Sequence, residues 1–109
     1  MQNTVKVDLR RHERIVVPGA LPTRVTRGES GPRIEGVATV IGMGGMFCRT
    51  KDTQPPETVL PLALTCGSNS FEVECNVRYV NDNGMGIEFT KFTPENEQKL
   101  KKLLLQLRT

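Results

Sequence analysis

Hydrophobic and polar residues alternate most regularly over residues 70–80. One set of alternate positions holds Phe71, Val73, Cys75, Val77 and Tyr79, and the positions between them hold Glu72, Glu74, Asn76 and Arg78. A period of two, with β-branched and aromatic residues, is typical of a half-buried strand. Residues 81–84 read Asn-Asp-Asn-Gly, which favours a turn. The pattern therefore predicts a β-hairpin of strands 70–80 and 85–90, with Tyr79 on the same face as Val77.

Four shorter hydrophobic segments precede this hairpin, at residues 21–27, 36–41, 46–50 and 58–65. Pro-Gly, Gly-Gly and Pro-Pro pairs separate them, and such pairs mark turns. Many short strands with frequent turns indicate an all-β barrel or sandwich. Pro61 has no N–H to donate, so it assigns its strand to an edge or a bulge.

The hydrophobic period changes near the C-terminus. Thr93 is a suitable N-cap and Pro94 a suitable first helical residue. The leucines that follow are spaced i, i+3, i+4, i+7, at Leu100, Leu103, Leu104 and Leu107. This is one apolar stripe of a helix, which we expect to pack against the barrel. A coiled coil is the alternative use of the stripe, although about two heptads is short for a stable seam.

Length and composition limit the classes of protein. A chain of 109 residues with 37% hydrophobic and 25% charged residues fits one domain with one modest core, not a two-lobed enzyme or a disordered chain. The net charge is +3. Residues 1–33 carry seven basic against three acidic residues, residues 34–90 three against seven, and residues 91–109 five against two. An anionic partner is therefore expected at the N-terminal third.

Residues for catalysis or metal binding are scarce. Cys48, Cys66 and Cys75 form no CxxC pair, which favours reduced cysteines packed as small hydrophobic residues in a cytoplasmic protein. His12 is the one histidine and lies among arginines, which favours a solvated or stacking role. The glycines of residues 42–45 lack the Lys-Ser/Thr of a phosphate-binding loop. We therefore expect no enzyme, no metal and no cofactor. The chain has no apolar run of about 18 residues and no continuous apolar segment at its N-terminus, so we also expect no membrane span and no signal peptide.

The segment with the clearest chemistry is residues 10–14, Arg-Arg-His-Glu-Arg, followed by Ile-Val-Val-Pro. Arg10 and Arg14 are four residues apart on a flexible lead-in, with Arg11 beside them. Guanidinium groups bind phosphate through two hydrogen bonds and stack on nucleobases. The segment is therefore either a clamp for an anionic ligand or a solvated basic arm. Nucleic acid is not the expected ligand, because one Tyr and four Phe offer few stacking surfaces.

The chain resembles the PilZ domain family. Its motif RxxxR matches Arg10 to Arg14, and residues 79–89, Tyr-Val-Asn-Asp-Asn-Gly-Met-Gly-Ile-Glu-Phe, resemble the family's final strand pair. Phe-Thr-Pro-Glu at 92–95 and the leucine-rich helix resemble its closing helix. The resemblance covers about residues 9–107. It implies a six-stranded antiparallel β-barrel with a C-terminal α-helix over residues 9–109, preceded by a flexible arm at residues 1–8.

The family's second motif, DxSxxG, aligns with residues 40–45, Val-Ile-Gly-Met-Gly-Gly. Val40 then replaces the Asp, Gly42 replaces the Ser, and Gly45 keeps the final glycine. In the family the Asp and Ser side chains make polar contacts with the ligand, and Val40 and Gly42 have no side-chain hydrogen-bonding group. The resemblance implies that Gly45 allows a close approach of the backbone to the ligand.

The implied function is that of a cytoplasmic bacterial receptor module for the second messenger cyclic di-GMP. The ligand would contact Arg10, Arg14, Val40, Gly42 and Gly45, with Arg11 as an auxiliary electrostatic contact, and the arm would fold onto the barrel with it. The alternative is a degenerate PilZ domain that binds no nucleotide. Such a domain would act through protein contacts, for example with motility or pilus machinery.

Overall fold

The computed structural model describes residues 14–108, which form seven β-strands and one α-helix. The elements are β1 (Ile15–Val16), β2 (Arg24–Arg27), β3 (Glu35–Ile41), β4 (Gly45–Thr50), β5 (Val59–Cys66), β6 (Asn69–Asn81), β7 (Gly84–Lys91) and α1 (Pro94–Arg108). The predicted strands and helix are present with small shifts at their ends. The sequence did not predict β1, because a strand of two residues is too short to show a hydrophobic period.

The sheet closes into a barrel. Its antiparallel strands follow the order β3-β2-β5-β6-β7-β4, and β4 pairs back onto β3. β1 continues the sheet beyond the start of β2, through the pairs Ile15–Ile41 and Val16–Val40 with β3. The predicted six-stranded antiparallel barrel is therefore confirmed. Because the sheet closes, the barrel strands have no free edge. One edge of β3 pairs with β2 over part of its length and with β1 over the rest.

The position of Pro61 corrects one expectation. Its strand, β5, lies between β2 and β6, so it is not an edge strand. The last pair between β2 and β5 joins Arg27 to Leu62, and just beyond it the carbonyl of Pro61 accepts a hydrogen bond from the N–H of Gly28. The nitrogen of Pro61, which carries no hydrogen, therefore faces the position just beyond the end of β2. No hydrogen bond between β2 and β5 is lost there.

The predicted face of Tyr79 is wrong. Phe71, Val73, Cys75 and Val77 are buried, whereas 52% of Tyr79 is exposed. The register between β6 and β7 shifts between Val77 and Tyr79, which leaves Arg78 as an extra residue. An inserted residue reverses the alternation of a strand. Tyr79 therefore points out of the barrel.

The helix α1 completes the core. The hydroxyl of Thr93 accepts a hydrogen bond from the N–H of Asn96 at 3.1 Å, as expected of an N-cap. The amide of Asn96 also donates to the carbonyl of Glu72 at 2.6 Å, which ties the helix to β6. All four leucines of the predicted stripe are buried in the same core as the strand residues. The stripe packs on the barrel as predicted, and it is not free for a coiled coil.

All three cysteines are buried and free, as predicted. Burial raises the pKa of the Cys48 thiol to about 12, and the charge of Asp52 adds to this effect. Burial also raises the pKa of Cys75, with smaller contributions from Cys48 and Glu74. The core therefore stabilises both thiols in their neutral form.

We expect Gly45→Ala to lower the free energy of unfolding by about 2–3 kcal/mol, the range of a forced overpacking. Gly45 is the first residue of β4 and pairs with Glu88 of the neighbouring strand β7. An added Cβ would overlap the carbonyl oxygen of Ile87 in β7. The measurement is urea unfolding followed by circular dichroism. Gly19→Ala is the control, because no described atom lies within 4 Å of its added Cβ. Equal stability of the two variants would contradict this account.

The raised thiol pKa values also predict a loss of stability in alkali. The Cys48 thiol ionises near 9.0 in the unfolded chain and near 12 in the folded one, so its stabilising contribution is complete below pH 9 and is lost as the pH rises towards 12. Over this range each such thiol lowers the free energy of unfolding by about 1.4 kcal/mol per pH unit. Unfolding at pH 9 to 11 should therefore show a shallower pH slope in Cys48→Ala than in the wild type. Parallel slopes would refute the assignment.

Candidate functional site

An open groove of about 600 Å³ runs along the outer wall of the barrel. It lies between the β3–β4 turn, the middle of β7 and the end of β6. Its lining combines two arginines, one carboxylate, aromatic rings and exposed backbone, from Arg14, Met43, Gly44, Met46, Arg78, Tyr79, Gly86, Ile87, Glu88, Phe89 and Phe92. A site of this composition suits a ligand with both flat apolar and anionic parts.

Two backbone hydrogen bonds hold the glycine-rich rim of the groove. The N–H of Gly42 donates to the carbonyl of Gly45 across the β3–β4 turn, at 2.9 Å. The carbonyl of Gly44 accepts from the N–H of Phe89 in β7, also at 2.9 Å. The turn is thus fixed both to itself and to the neighbouring strand. Met43 and Gly44 are the residues of this turn that line the groove.

Arg14 reaches the groove from the residue before β1. That strand pairs with β3, and the N–H of Val17 donates to the carbonyl of Thr39 at 2.9 Å. The backbone next to Arg14 is therefore held by the barrel, while its side chain is exposed. An exposed guanidinium on a fixed backbone can meet an anion with little loss of backbone entropy.

The second arginine of the groove, Arg78, is paired. Its guanidinium lies 3.1 Å from the carboxylate of Glu88, and the two side chains are 55% and 48% exposed. The groove therefore holds two positive charges and one negative charge. An exposed pair of this kind is weak, because water competes for both partners.

A row of outward apolar residues forms the wall beside the groove. Val16, Val40, Phe47, Gly86 and Tyr79 are successive partners across β1, β3, β4, β7 and β6. The rings of Phe47 and Tyr79 stack with centroids 6.2 Å apart. A side chain at Gly86 would overlap the Tyr79 ring, so the glycine provides the space in which the two aromatic residues meet.

The sequence-predicted residues have different positions relative to the groove. Arg10 and Arg11, like His12, lie outside the described residues. Arg14 lines the groove. Val40 is half-buried in the outward apolar row, and Gly42 is buried in the turn. Gly45 makes its close backbone approach to Ile87 of β7, and none of Val40, Gly42 and Gly45 is among the residues that line the groove.

Sequence reasoning missed the contribution of the second hairpin to this site. Arg78 and Glu88 occupy polar positions of alternating strands, where a solvated charge is the ordinary interpretation. Tyr79 fits the buried set of alternate positions, because the sequence pattern does not show the bulge. The signal that was present is the small residue at Gly86, opposite the one tyrosine of the chain.

A second groove of about 570 Å³ lies near the start of α1 and has a different charge. Its charged lining residues are Glu29, Glu72, Glu74 and Lys91, so a phosphate would meet net repulsion there. Within residues 14–108, no cluster of three or more His, Cys, Asp or Glu side chains could hold a metal ion. In the same range, no helix is long and apolar enough to cross a membrane.

The chain matches the model of a known protein family. The model of the PilZ domain matches residues 8–106, which is most of the chain and includes the Arg10–Arg14 spacing. No curated protein is a significant match in sequence.

Solved structures share the fold. The PilZ domain of Escherichia coli YcgR, solved with c-di-GMP, aligns with a TM-score of 0.71 at 15% identity, covering 91% of each chain. The PilZ domain of CeSA from a cellulose-synthesizing bacterium aligns at 0.67 and 14% identity, covering 89% of this chain and 99% of that one. An uncharacterised protein from Legionella aligns at 0.63 and 23% identity, covering 89% and 95%. Identities this low establish the shared fold only.

Proposed function

The chain belongs to the PilZ domain family, and on this basis we propose that it is a cytoplasmic bacterial receptor module for cyclic di-GMP. The module catalyses no reaction of its own. Binding of the second messenger changes its conformation or its contacts with a partner. The observation that carries the proposal is the position of Arg14, the last arginine of RxxxR, in an open groove beside an exposed tyrosine.

The chemistry of the groove matches that of the ligand. Cyclic di-GMP has two phosphates and two guanine bases. Guanidinium groups bind phosphate and stack on bases, and the exposed ring of Tyr79 offers a further flat surface. The groove volume of about 600 Å³ is within the usual range for small-molecule sites. In this proposal, Arg10 and Arg11 contact the ligand together with Arg14.

Titration of the protein with cyclic di-GMP tests the proposal. Isothermal calorimetry at moderate salt should give saturable heat at micromolar ligand. Amide NMR shifts should concentrate in the β3–β4 turn, β7 and the end of β6. The absence of shifts at millimolar ligand would overturn the receptor function.

A second candidate function rests on the outward apolar row. Val16 is 75% exposed and Tyr79 is 52% exposed. In the alignment with the family's second motif, the apolar Val40 takes the position of the ligand-binding Asp. A PilZ domain that binds no nucleotide and acts through protein contacts, for example in motility or pilus machinery, would use such a surface. The same titration separates the two candidates, because this function requires no nucleotide shifts.

We expect Arg14→Ala to weaken cyclic di-GMP binding by about 2–3 kcal/mol, the value of a lost charge-assisted bidentate contact. The melting temperature should change little, because the Arg14 side chain is exposed. Calorimetric titration measures the affinity. Arg33→Ala is the matched control, since it removes the same charge from a side chain that is 81% exposed and does not line the groove. Equal affinities in the two variants would reject the motif assignment.

Restoring the second motif provides a further test. The double change Val40→Asp with Gly42→Ser should tighten binding by about 1–3 kcal/mol, through one or two added polar contacts. Val40 points outward and is half-buried, so an aspartate there can keep contact with water. Val37→Asp is the control, because it adds a carboxylate to the same strand at another half-buried position. Unchanged affinity in a double mutant with a normal melting temperature would contradict the alignment.

A further inference from the structure

We infer that Arg78 is a further ligand-contacting arginine, and that Glu88 occupies it in the free protein and competes with the ligand for it. Binding of cyclic di-GMP would then open the Arg78–Glu88 ion pair, and Glu88 would set the affinity. The inference rests on the proposed function, because it concerns the same groove and the same ligand.

The position of Arg78 comes from the β-bulge. The register of β6 against β7 shifts between Val77 and Tyr79, and Arg78 is the residue left without a partner in the ladder. Bulges change the direction of a side chain and are frequent at functional sites. Here the bulge places Arg78 and the exposed Tyr79 in one groove with Arg14. The two arginines therefore come from opposite rims of the site.

The energetics favour transfer of Arg78 from Glu88 to a phosphate. The pair is about half exposed on both sides, and such pairs contribute little to stability. Opening the pair therefore costs little. A phosphate that accepts a bidentate hydrogen bond in a partly desolvated groove is a stronger partner than a solvated carboxylate.

The charge of Glu88 opposes the ligand in two ways. It holds Arg78 at 3.1 Å, and it places a negative charge in the groove that a dianionic ligand must enter. Like charges brought together at an interface lower affinity. Removal of this carboxylate should therefore strengthen binding. Arg78 also supplies side-chain hydrogen-bond donors, which Val40 and Gly42 of the aligned second motif do not.

The chain contains a matched pair for comparison. Arg33 and Glu35 form another exposed ion pair at 3.2 Å, with side chains 81% and 58% exposed. Neither residue lines the groove. Substitutions in this second pair change the net charge by the same amount, so they separate a local contact from a general electrostatic effect.

Calorimetric titration with cyclic di-GMP of the wild type and four variants tests the inference. We expect Arg78→Gln to weaken binding about tenfold and Glu88→Gln to tighten it about three- to tenfold. Arg33→Gln and Glu35→Gln should stay within about twofold of the wild type, as distant exposed charges do. In the double variant of Arg78→Gln with Glu88→Gln, the gain from Glu88→Gln should shrink, because the released arginine is gone. Melting temperatures should agree within a few degrees.

The outcomes separate this inference from the proposed function. If the wild type binds and Arg78→Gln binds equally well, the inference is wrong and the receptor function stands. If Glu88→Gln and Glu35→Gln tighten binding equally, the effect is general charge and Glu88 is no competitor. If the wild type does not bind but Glu88→Gln does, the inference holds and the native receptor function fails. Absence of binding in every variant overturns both.

Discussion

The pairing of β4 with β3 is the constraint on which the remaining structure depends. It closes the sheet, and closure removes the exposed edges that an open sheet of short strands would present. It also fixes the β3–β4 turn, which forms one rim of the groove. Because Gly45 lies against the carbonyl of Ile87, β4 can also approach β7 closely at the same place. The closed barrel and one side of its groove therefore both depend on the place where β3, β4 and β7 pack closely.

A single extra residue in β6 brings Arg78 and Tyr79 into the groove. Without the bulge at Arg78, Tyr79 would continue the buried alternation and the core would hold one more aromatic residue. With it, the tyrosine faces outward and stacks with Phe47 over Gly86. The loss of one buried ring is small for a core closed by the four leucines of α1. In return, the outer wall gains an aromatic surface next to two arginines.

Charge distinguishes the groove lined by Arg14 from the second groove of the described residues. The groove near the start of α1 has a similar volume but is lined by three glutamates and one lysine. The site beside β1 has two arginines and one glutamate. Electrostatics therefore favour an anion in the groove that Arg14 lines over the groove near the start of α1. With Arg78 paired to Glu88, the residues that line this groove carry one net positive charge.

The sequence by itself determined the elements with a strong hydrophobic period, and it predicted an anionic ligand. Alternation predicted β6, the turn at residues 81–84 predicted its return strand β7, and leucine spacing predicted α1. The Arg10–Arg14 spacing is the basis of the ligand prediction. The tertiary structure decided which side chains share the groove with Arg14. A strand two residues long and a bulge leave no trace in hydrophobic periodicity, because both are fixed by pairing with strands distant in the chain. For this reason the outward face of Tyr79 and the approach of Arg78 to Glu88 could be found only in the folded barrel.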